Sequence, residues 1–289
     1  MSRFHDSVLK DEAIDLLNVV PGKKYIDATA GGGGHTEEMV KRGGIVLAID
    51  RDQEAAEVLR KKNFKGVVVV KDNFSRISEL AQKYDFEKVS GILFDLGVSS
   101  HQLDDPKRGF SFQKEGPLDM RMDADSNIKA TDIINNFEKR RLNEIFQTYG
   151  QEKFSLAIAD AICSARQIRP FITTLDLANI VSEVYRKKRM RTKLHPATKV
   201  FQALRIVINS ELLNLEEALA QTEPLLETNG RLVIISFHSL EDAIVKRFLK
   251  ESNCLKPLSR LPIGPGAEEV QKNPRSRSAK MRAAVKIIN

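Results

Sequence analysis

Asp27-Ala28-Thr29-Ala30-Gly31-Gly32-Gly33-Gly34-His35 is the stretch on which the reading of the fold turns. It overlaps the end of an apolar run, Tyr25-Ile26-Asp27-Ala28, and opens into residues 36–42, which have helical composition. A strand that ends in glycines and turns into a helix lets backbone N–H groups approach a ligand closely, because no side chain stands in the way. The same rhythm recurs downstream. Ile45–Asp50, 67–70 and 91–95 are short, almost wholly apolar runs, separated by helical segments at Gln53–Lys62 and 76–84. Strands apolar on both faces and alternating with helices predict βαβ units in an open parallel sheet.

After Asp95 the rhythm breaks. A Gly/Pro/Asp-rich stretch over 104–122 is followed by one helical pattern after another. Leu142, Ile145, Phe146 and Tyr149 recur at helical spacing, as do Phe154, Ile158 and Ile162, and then Leu177, Ile180, Val181 and Val184. Thr173 with Asp176 has the pattern of a capping box for the last of these. One long helix from Ala197 to about Leu219 is expected to carry the chain back, with strands again at 231–237 and 284–288. The expected fold class is therefore α/β. A mostly parallel, Rossmann-like sheet is built from 1–103 and 206–289, and a helical domain, 104–205, is inserted in it.

The chain has 289 residues and a net charge of +7, so an acidic partner such as a nucleic acid is plausible on charge. Its two cysteines, Cys163 and Cys254, lie far apart, which excludes a disulfide framework or a zinc ribbon and suits a reducing compartment. The first residues are polar where a signal peptide needs an apolar core, and no apolar run is long enough to span a bilayer. A cytoplasmic protein without a membrane partner is expected.

Asp50 ends the second apolar run, where a carboxylate can accept from two ribose hydroxyls. Phe74, just after the third run, can pack on an adenine ring, and Asp95 ends the fourth run beside the same crevice. Gly31 and Gly33 fit the start of a dinucleotide fingerprint, but position 36 is Thr where that fingerprint needs Gly or Ala. Four adjacent glycines followed by His suit a compact ligand with a carboxylate and ammonium tail better than a pyrophosphate. The expected cofactor is S-adenosylmethionine. Its sulfonium already activates the methyl group, so no metal is expected.

Many well-separated stretches carry a family resemblance. They include Gly33-Gly34-His35, Ala48-Ile49-Asp50-Arg51-Asp52, Asp95-Leu96-Gly97-Val98-Ser99-Ser100, Arg108-Gly109-Phe110-Ser111-Phe112 and Pro117-Leu118-Asp119-Met120-Arg121-Met122-Asp123. His195-Pro196-Ala197-Thr198, Asn209-Ser210-Glu211-Leu212 and Ile235-Ser236-Phe237-His238-Ser239-Leu240-Glu241-Asp242 follow. On these the chain resembles the MraW/RsmH family of small-subunit rRNA cytosine-N4 methyltransferases, over essentially its whole length. The resemblance implies a class I methyltransferase sheet, with the inserted helical domain recognising substrate. It implies cofactor contacts at Gly33, Gly34, His35, Asp50, Phe74, Asp95 and Gln102. The implied partner is 16S rRNA within the small ribosomal subunit, methylated on a cytosine of the decoding region.

The chain lacks the Asp/Asn-Pro-Pro-aromatic loop of many amino-group methyltransferases and reads Asp95-Leu96-Gly97-Val98 in its place. Asp95 is the candidate catalytic residue, with two possible jobs: contacting the cofactor, or accepting a hydrogen bond from the target amine. The carbonyls of Leu96 and Gly97 are the alternative acceptors. His238 is as readily a structural histidine as a substrate contact. Two basic clusters, residues 186–193 and Arg275, Arg277, Lys280, Arg282 and Lys286, are expected to face phosphates. Phe110, Phe112 and Met120 either brace an unstacked base or anchor their own loop. A monomer and a homodimer are both compatible with the sequence.

Overall fold

The computed structural model describes residues 7–287; the last positions of the strand expected at 284–288 lie partly outside them. The strands are β1 (Lys24–Asp27), β2 (Ile45–Asp50), β3 (Val67–Lys71), β4 (Val89–Asp95), β5 (Leu226–Ser236), β6 (Leu255–Pro257) and β7 (Lys280–Lys286). The helices up to β4 are α1 (Lys10–Leu17), α2 (Gly34–Lys41), α3 (Gln53–Lys62) and α4 (Ile77–Lys83). Between β4 and β5 come α5 (Ser100–Asp104), α6 (Ala130–Asn136), α7 (Lys139–Thr148), α8 (Ser155–Arg166), α9 (Thr174–Lys187), α10 (Thr198–Ile208) and α11 (Glu211–Leu225). α12 (Ser239–Glu251) and α13 (Ala267–Lys272) complete the set.

The chain divides into two compact units, one made of Met1–Gly97 with Leu212–Asn289, the other of Val98–Glu211. In the first, the strands form one sheet in the order β3-β2-β1-β4-β5-β7-β6. Pairing is parallel from β3 through β5, and β7 runs antiparallel to both β5 and β6. Strand order reverses between β1 and β4, the place where open α/β sheets bind ligands at their carboxyl ends.

The alternation of side chains explains why both faces of this sheet are apolar. Ile26, Leu47, Ile49, Ile92, Phe94, Leu232 and Ile234 point to one side, where α4, α11 and α12 contribute Ile77, Leu80, Leu215, Leu219 and Val245. Their neighbours Tyr25, Val46, Ala48, Leu93, Val233 and Ile235 point to the other, with Ile14 and Leu17 of α1, Met39 of α2 and Leu59 of α3. Burying a side chain of this size stabilises by about 1.5–3 kcal/mol, so the two layers supply most of the cohesion of the sheet.

β5 begins earlier than the sequence predicts. Asn229, at φ +66, and Gly230 form an irregularity inside the strand, which pairs through Leu226 before it and Arg231 after it.

The second unit is helical around its own core, with Leu142, Ile145 and Phe146 of α7, Ile158 and Ile162 of α8, Leu177 and Val181 of α9, and Val200, Phe201 and Leu204 of α10. Thr173 caps α9 as predicted, accepting from the Asp176 N–H at 3.2 Å while Asp176 accepts from the Thr173 N–H at 2.9 Å. This unit extends beyond the 104–205 read from sequence on both sides, to Val98 and Glu211. On the C-terminal side the reason lies in Asn209 and Arg205. Asn209 accepts from the Met122 N–H and donates to the carbonyls of Met120 and Arg205, each at 2.8–2.9 Å. Arg205 forms a bidentate pair with Glu211 at 2.8 and 2.9 Å. The same residues interrupt the single long helix predicted from Ala197 to Leu219: α10 stops at Ile208, Ser210 takes φ +49, and α11 starts afresh.

Candidate functional site

Three strands of the sheet end in an acid: Asp27 on β1, Asp50 on β2 and Asp95 on β4. The glycine turn leaves β1 beside them. Its shape is imposed by packing as well as by backbone freedom. Gly33 has φ +83, and a Cβ there would lie 2.5 Å from Leu59 Cδ1. Lys62 closes the outer side of the turn by donating to the Gly32 carbonyl at 2.8 Å.

Asp50 is tied to the turn. Its Oδ2 accepts from the Gly31 N–H at 2.7 Å and its Oδ1 from the Asp52 N–H at 2.8 Å. Burial nevertheless dominates, and pushes the Asp50 carboxyl up to about 6. Phe74 follows β3, half-buried, with its ring edge-on to Phe94 at 5.7 Å and 90°. That leaves the ring fixed in orientation without being enclosed in the core.

Asp95 and His35 meet across the start of α2. His35 is 3% exposed, and its Nε2 lies 3.3 Å from Asp95 Oδ2. The Asp95 backbone N–H donates to Thr29 Oγ1 at 2.6 Å, which anchors the end of β4 to the turn. Asp27 is fully buried, acts on the imidazole through its charge, and accepts from the Thr36 hydroxyl at 2.6 Å and from the Thr29 N–H at 3.3 Å. Burial lowers the His35 pKa, but the Asp95 hydrogen bond and the charges of Asp95 and Asp27 outweigh it, so the net shift is upward. Burial also raises the Asp27 carboxyl above its ordinary value, against the pull of the His35 charge. Two atoms of this group, His35 Nδ1 and Asp95 Oδ1, are buried with no hydrogen-bond partner among the described residues.

The first unit thus brings together Gly33, Gly34, His35, Asp50, Phe74 and Asp95 of the residues expected at the site. Gln102 belongs to the second unit. There it completes a capping box at the start of α5, accepting from the Ser99 N–H at 3.0 Å and donating its own backbone N–H to Ser99 Oγ at 3.2 Å. Sequence alone does not single out Asp27 and Thr29 as site residues. The signal that could have found them is their place at the carboxyl end of the first parallel strand.

Several other candidates have structural work to do. His238 caps α12, its Nδ1 accepting from the Glu241 N–H at 3.3 Å while Glu241 Oε2 accepts from Phe237 N–H at 2.8 Å. Phe110 and Met120 are buried in the helical core, and Phe112 stacks on His195 at 4.5 Å with Phe201 edge-on at 4.8 Å, so the anchoring role holds for these three.

The C-terminal basic cluster is smaller than the sequence predicts. Arg282 donates to Asp242 at 2.7 Å, and Lys286 donates to the carbonyls of Glu223 and Leu226. Burial acts to raise Asp242, but hydrogen bonds from Arg282 and Lys280 outweigh it and hold its carboxyl below the ordinary range. Arg275 and Arg277 remain exposed. In the other run, Arg186 and Lys187 lie 3.6 and 3.1 Å from Glu183, while Lys188, Arg189, Arg191 and Lys193 are exposed.

A sheet in the order 3-2-1-4-5-7-6 with its seventh strand reversed, and with acids and a glycine turn at the ends of its central strands, has the class I methyltransferase fold. Comparison with known proteins agrees. The model of the MraW methylase family matches residues 2–287. The chain is 42% identical to the ribosomal RNA small subunit methyltransferase H of Halothermothrix orenii, over 99% of both chains. It is 44% identical to the protein of that name from Dehalococcoides mccartyi, over 98% of this chain and 87% of the relative. It is 45% identical to that of Deinococcus deserti, over 99% and 95% respectively. The chain belongs to the MraW methylase family and is a methyltransferase. None of its helices, among the described residues, is long and apolar enough to cross a membrane.

Proposed function

We propose that the chain transfers a methyl group from S-adenosylmethionine to N4 of a cytosine in the decoding region of 16S rRNA, within the small ribosomal subunit. The observation that carries this reading is the pair of buried, unpartnered atoms, His35 Nδ1 and Asp95 Oδ1, at the sheet end where a glycine turn and Asp50 also converge. Buried polar groups are nearly always satisfied, so two orphans in one site point to an absent polar ligand. The names of the relatives, with the family resemblance of the sequence, support small-subunit rRNA as acceptor.

The donor set fits that cofactor. Asp50 offers a carboxylate for ribose hydroxyls and Phe74 an aromatic face for adenine, and the resemblance adds Gly33 and Gly34 of the turn. His35 offers Nδ1 for the carboxylate tail. Asp95 borders the same space, and the resemblance adds Gln102. The sulfonium of the cofactor supplies an electrophilic methyl group: N4 takes it with its lone pair, the C–S electron pair stays on sulfur, and one N4 proton leaves.

What the protein must add is geometry and an acceptor. The N4 lone pair is delocalised into the cytosine ring, and an acceptor on an amino hydrogen favours the pyramidal form that can react. Asp95 is assigned that role, through Oδ1. Positioning the two reactants can supply about 7–11 kcal/mol of barrier reduction, more than a single hydrogen bond. The helical unit is assigned substrate recognition, with its exposed Arg189, Arg191 and Lys193 meeting phosphates.

The test is mass spectrometry of rRNA nucleosides after unmodified small subunits are incubated with the chain and S-adenosylmethionine. N4-methylated cytidine is expected; a methyl group on another base or atom would overturn the assignment.

A further inference from the structure

Asp95 is held unevenly. Its backbone N–H is fixed on Thr29 and its Oδ2 meets His35 Nε2, yet Oδ1 has no partner among the described residues. A carboxylate held by one oxygen has its plane set by that single donor, so whatever fixes Oδ2 also aims Oδ1. The donor here is unusually well fixed. His35 is 3% exposed on the first turn of α2, and among the described residues the charged groups that act on it are Asp95 from β4, Asp27 from β1 and, opposing them, Lys10 of α1. Most buried ring nitrogens are paired, so a histidine with one orphaned nitrogen is a minority case. This one satisfies the nitrogen that faces Asp95.

We propose that His35 is a positioning residue acting through Asp95: its Nε2–H holds Oδ2 and thereby aims Oδ1 at the amino group that accepts the methyl. This rests on the reading of Asp95 given above. As N4 gains the methyl, the N4 hydrogen bonded to Oδ1 passes to that oxygen as a proton and is later released to water. His35 neither gains nor loses a proton in the step. The hydrogen bond and charge of Asp95, with the charge of Asp27 behind them, outweigh burial and favour the protonated ring, which donates toward Asp95.

The experiment uses the full chain and its variants His35→Gln, Asp95→Asn and the double variant. Single-turnover methyl transfer to unmodified small subunits is measured at saturating S-adenosylmethionine, alongside NMR titration of the His35 ring in the chain without substrate. Each single variant is expected to slow transfer by about tenfold or more, and the double variant to be no slower than Asp95→Asn. The His35 titration midpoint is expected to fall in Asp95→Asn, because the hydrogen bond and charge that raise it are lost. A midpoint that does not move overturns the pairing itself. A midpoint that falls while the two rate losses multiply in the double variant overturns the positioning role. Absence of transfer by the unaltered chain, with the midpoint shift intact, overturns the reading of the reaction and this role with it.

Discussion

The Gly31 N–H donates to Asp50 Oδ2 at 2.7 Å, which joins the first glycine of the turn to the end of the neighbouring strand. The turn and the acid are therefore one unit, and the charge state of Asp50 matters to both. With the Asp50 carboxyl at about 6, the group ionises just below neutrality. A ribose that donates to it needs the ionised form. Affinity for S-adenosylhomocysteine should therefore fall by about tenfold between pH 7 and pH 5, and Asp50→Asn should bind weakly with that pH dependence removed. Calorimetry at the two pH values checks this. The effect on stability has the opposite sign. The folded pKa lies above the ordinary carboxylate value of 3.8, so the contribution is present below that value and lost as pH rises through about 6.

Gly33 tests the turn from another side. Its φ of +83 costs a residue with a Cβ about 1–2 kcal/mol, and the Cβ would also press on Leu59 Cδ1 at 2.5 Å. Gly33→Ala should destabilise by about 2–4 kcal/mol in urea unfolding, strain and overpacking together. Leu59→Ala removes the pressing methyl but not the strain. The double variant should thus be more stable than the sum of the two singles by about 1–2 kcal/mol.

How much of this was legible in the sequence depends on how local each cause is. The central strands announce themselves, because a strand covered on both faces must be apolar throughout, and Val67-Val68-Val69-Val70 or Ile92-Leu93-Phe94 has few other uses. Asp50 was legible for the same reason, since it ends such a run. β6 was not: Leu255-Lys256-Pro257 is too short to show a period. α6 was hidden by its composition, Ala-Thr-Asp-Ile-Ile-Asn-Asn, rich in residues that compete with the helix for hydrogen bonds. The pairing of His35 with Asp95 spans sixty positions, and no local pattern encodes it.

The break between α10 and α11 belongs to the same class, and it yields a prediction. Helical residues stand on both sides of Asn209, and the interruption comes from bonds to Met120 and Met122, nearly ninety positions away. Asn209 is 6% exposed, so its removal leaves buried backbone groups without partners. Asn209→Ala should cost about 2–4 kcal/mol of stability. Asn209→Asp, which keeps the acceptor for Met122 N–H but loses the donor to Met120 and Arg205, should fall between. Thermal and urea unfolding of the three chains provide the ranking.

The basic run at the end of α9 offers the last prediction, and the structure narrows which of its residues to choose. Arg186 and Lys187 share Glu183, so reversing their charge would also disturb a helix-surface pair. Arg189 and Arg191 are exposed and lie beyond the helix, with Arg189 at φ +52 turning the chain away from it. If these side chains meet phosphates, each contact releases counterions, and the affinity depends on salt in proportion to their number. Replacing both by Glu should weaken binding to small-subunit rRNA by about tenfold or more at low salt and reduce the slope of log affinity against log salt by about two. Cofactor affinity should not change, because neither residue belongs to the sheet-end site. Filter binding over a range of salt concentrations, with calorimetry for S-adenosylhomocysteine, separates the outcomes. An unchanged slope would place the RNA on another surface, and Arg275 and Arg277 would be the next pair to reverse.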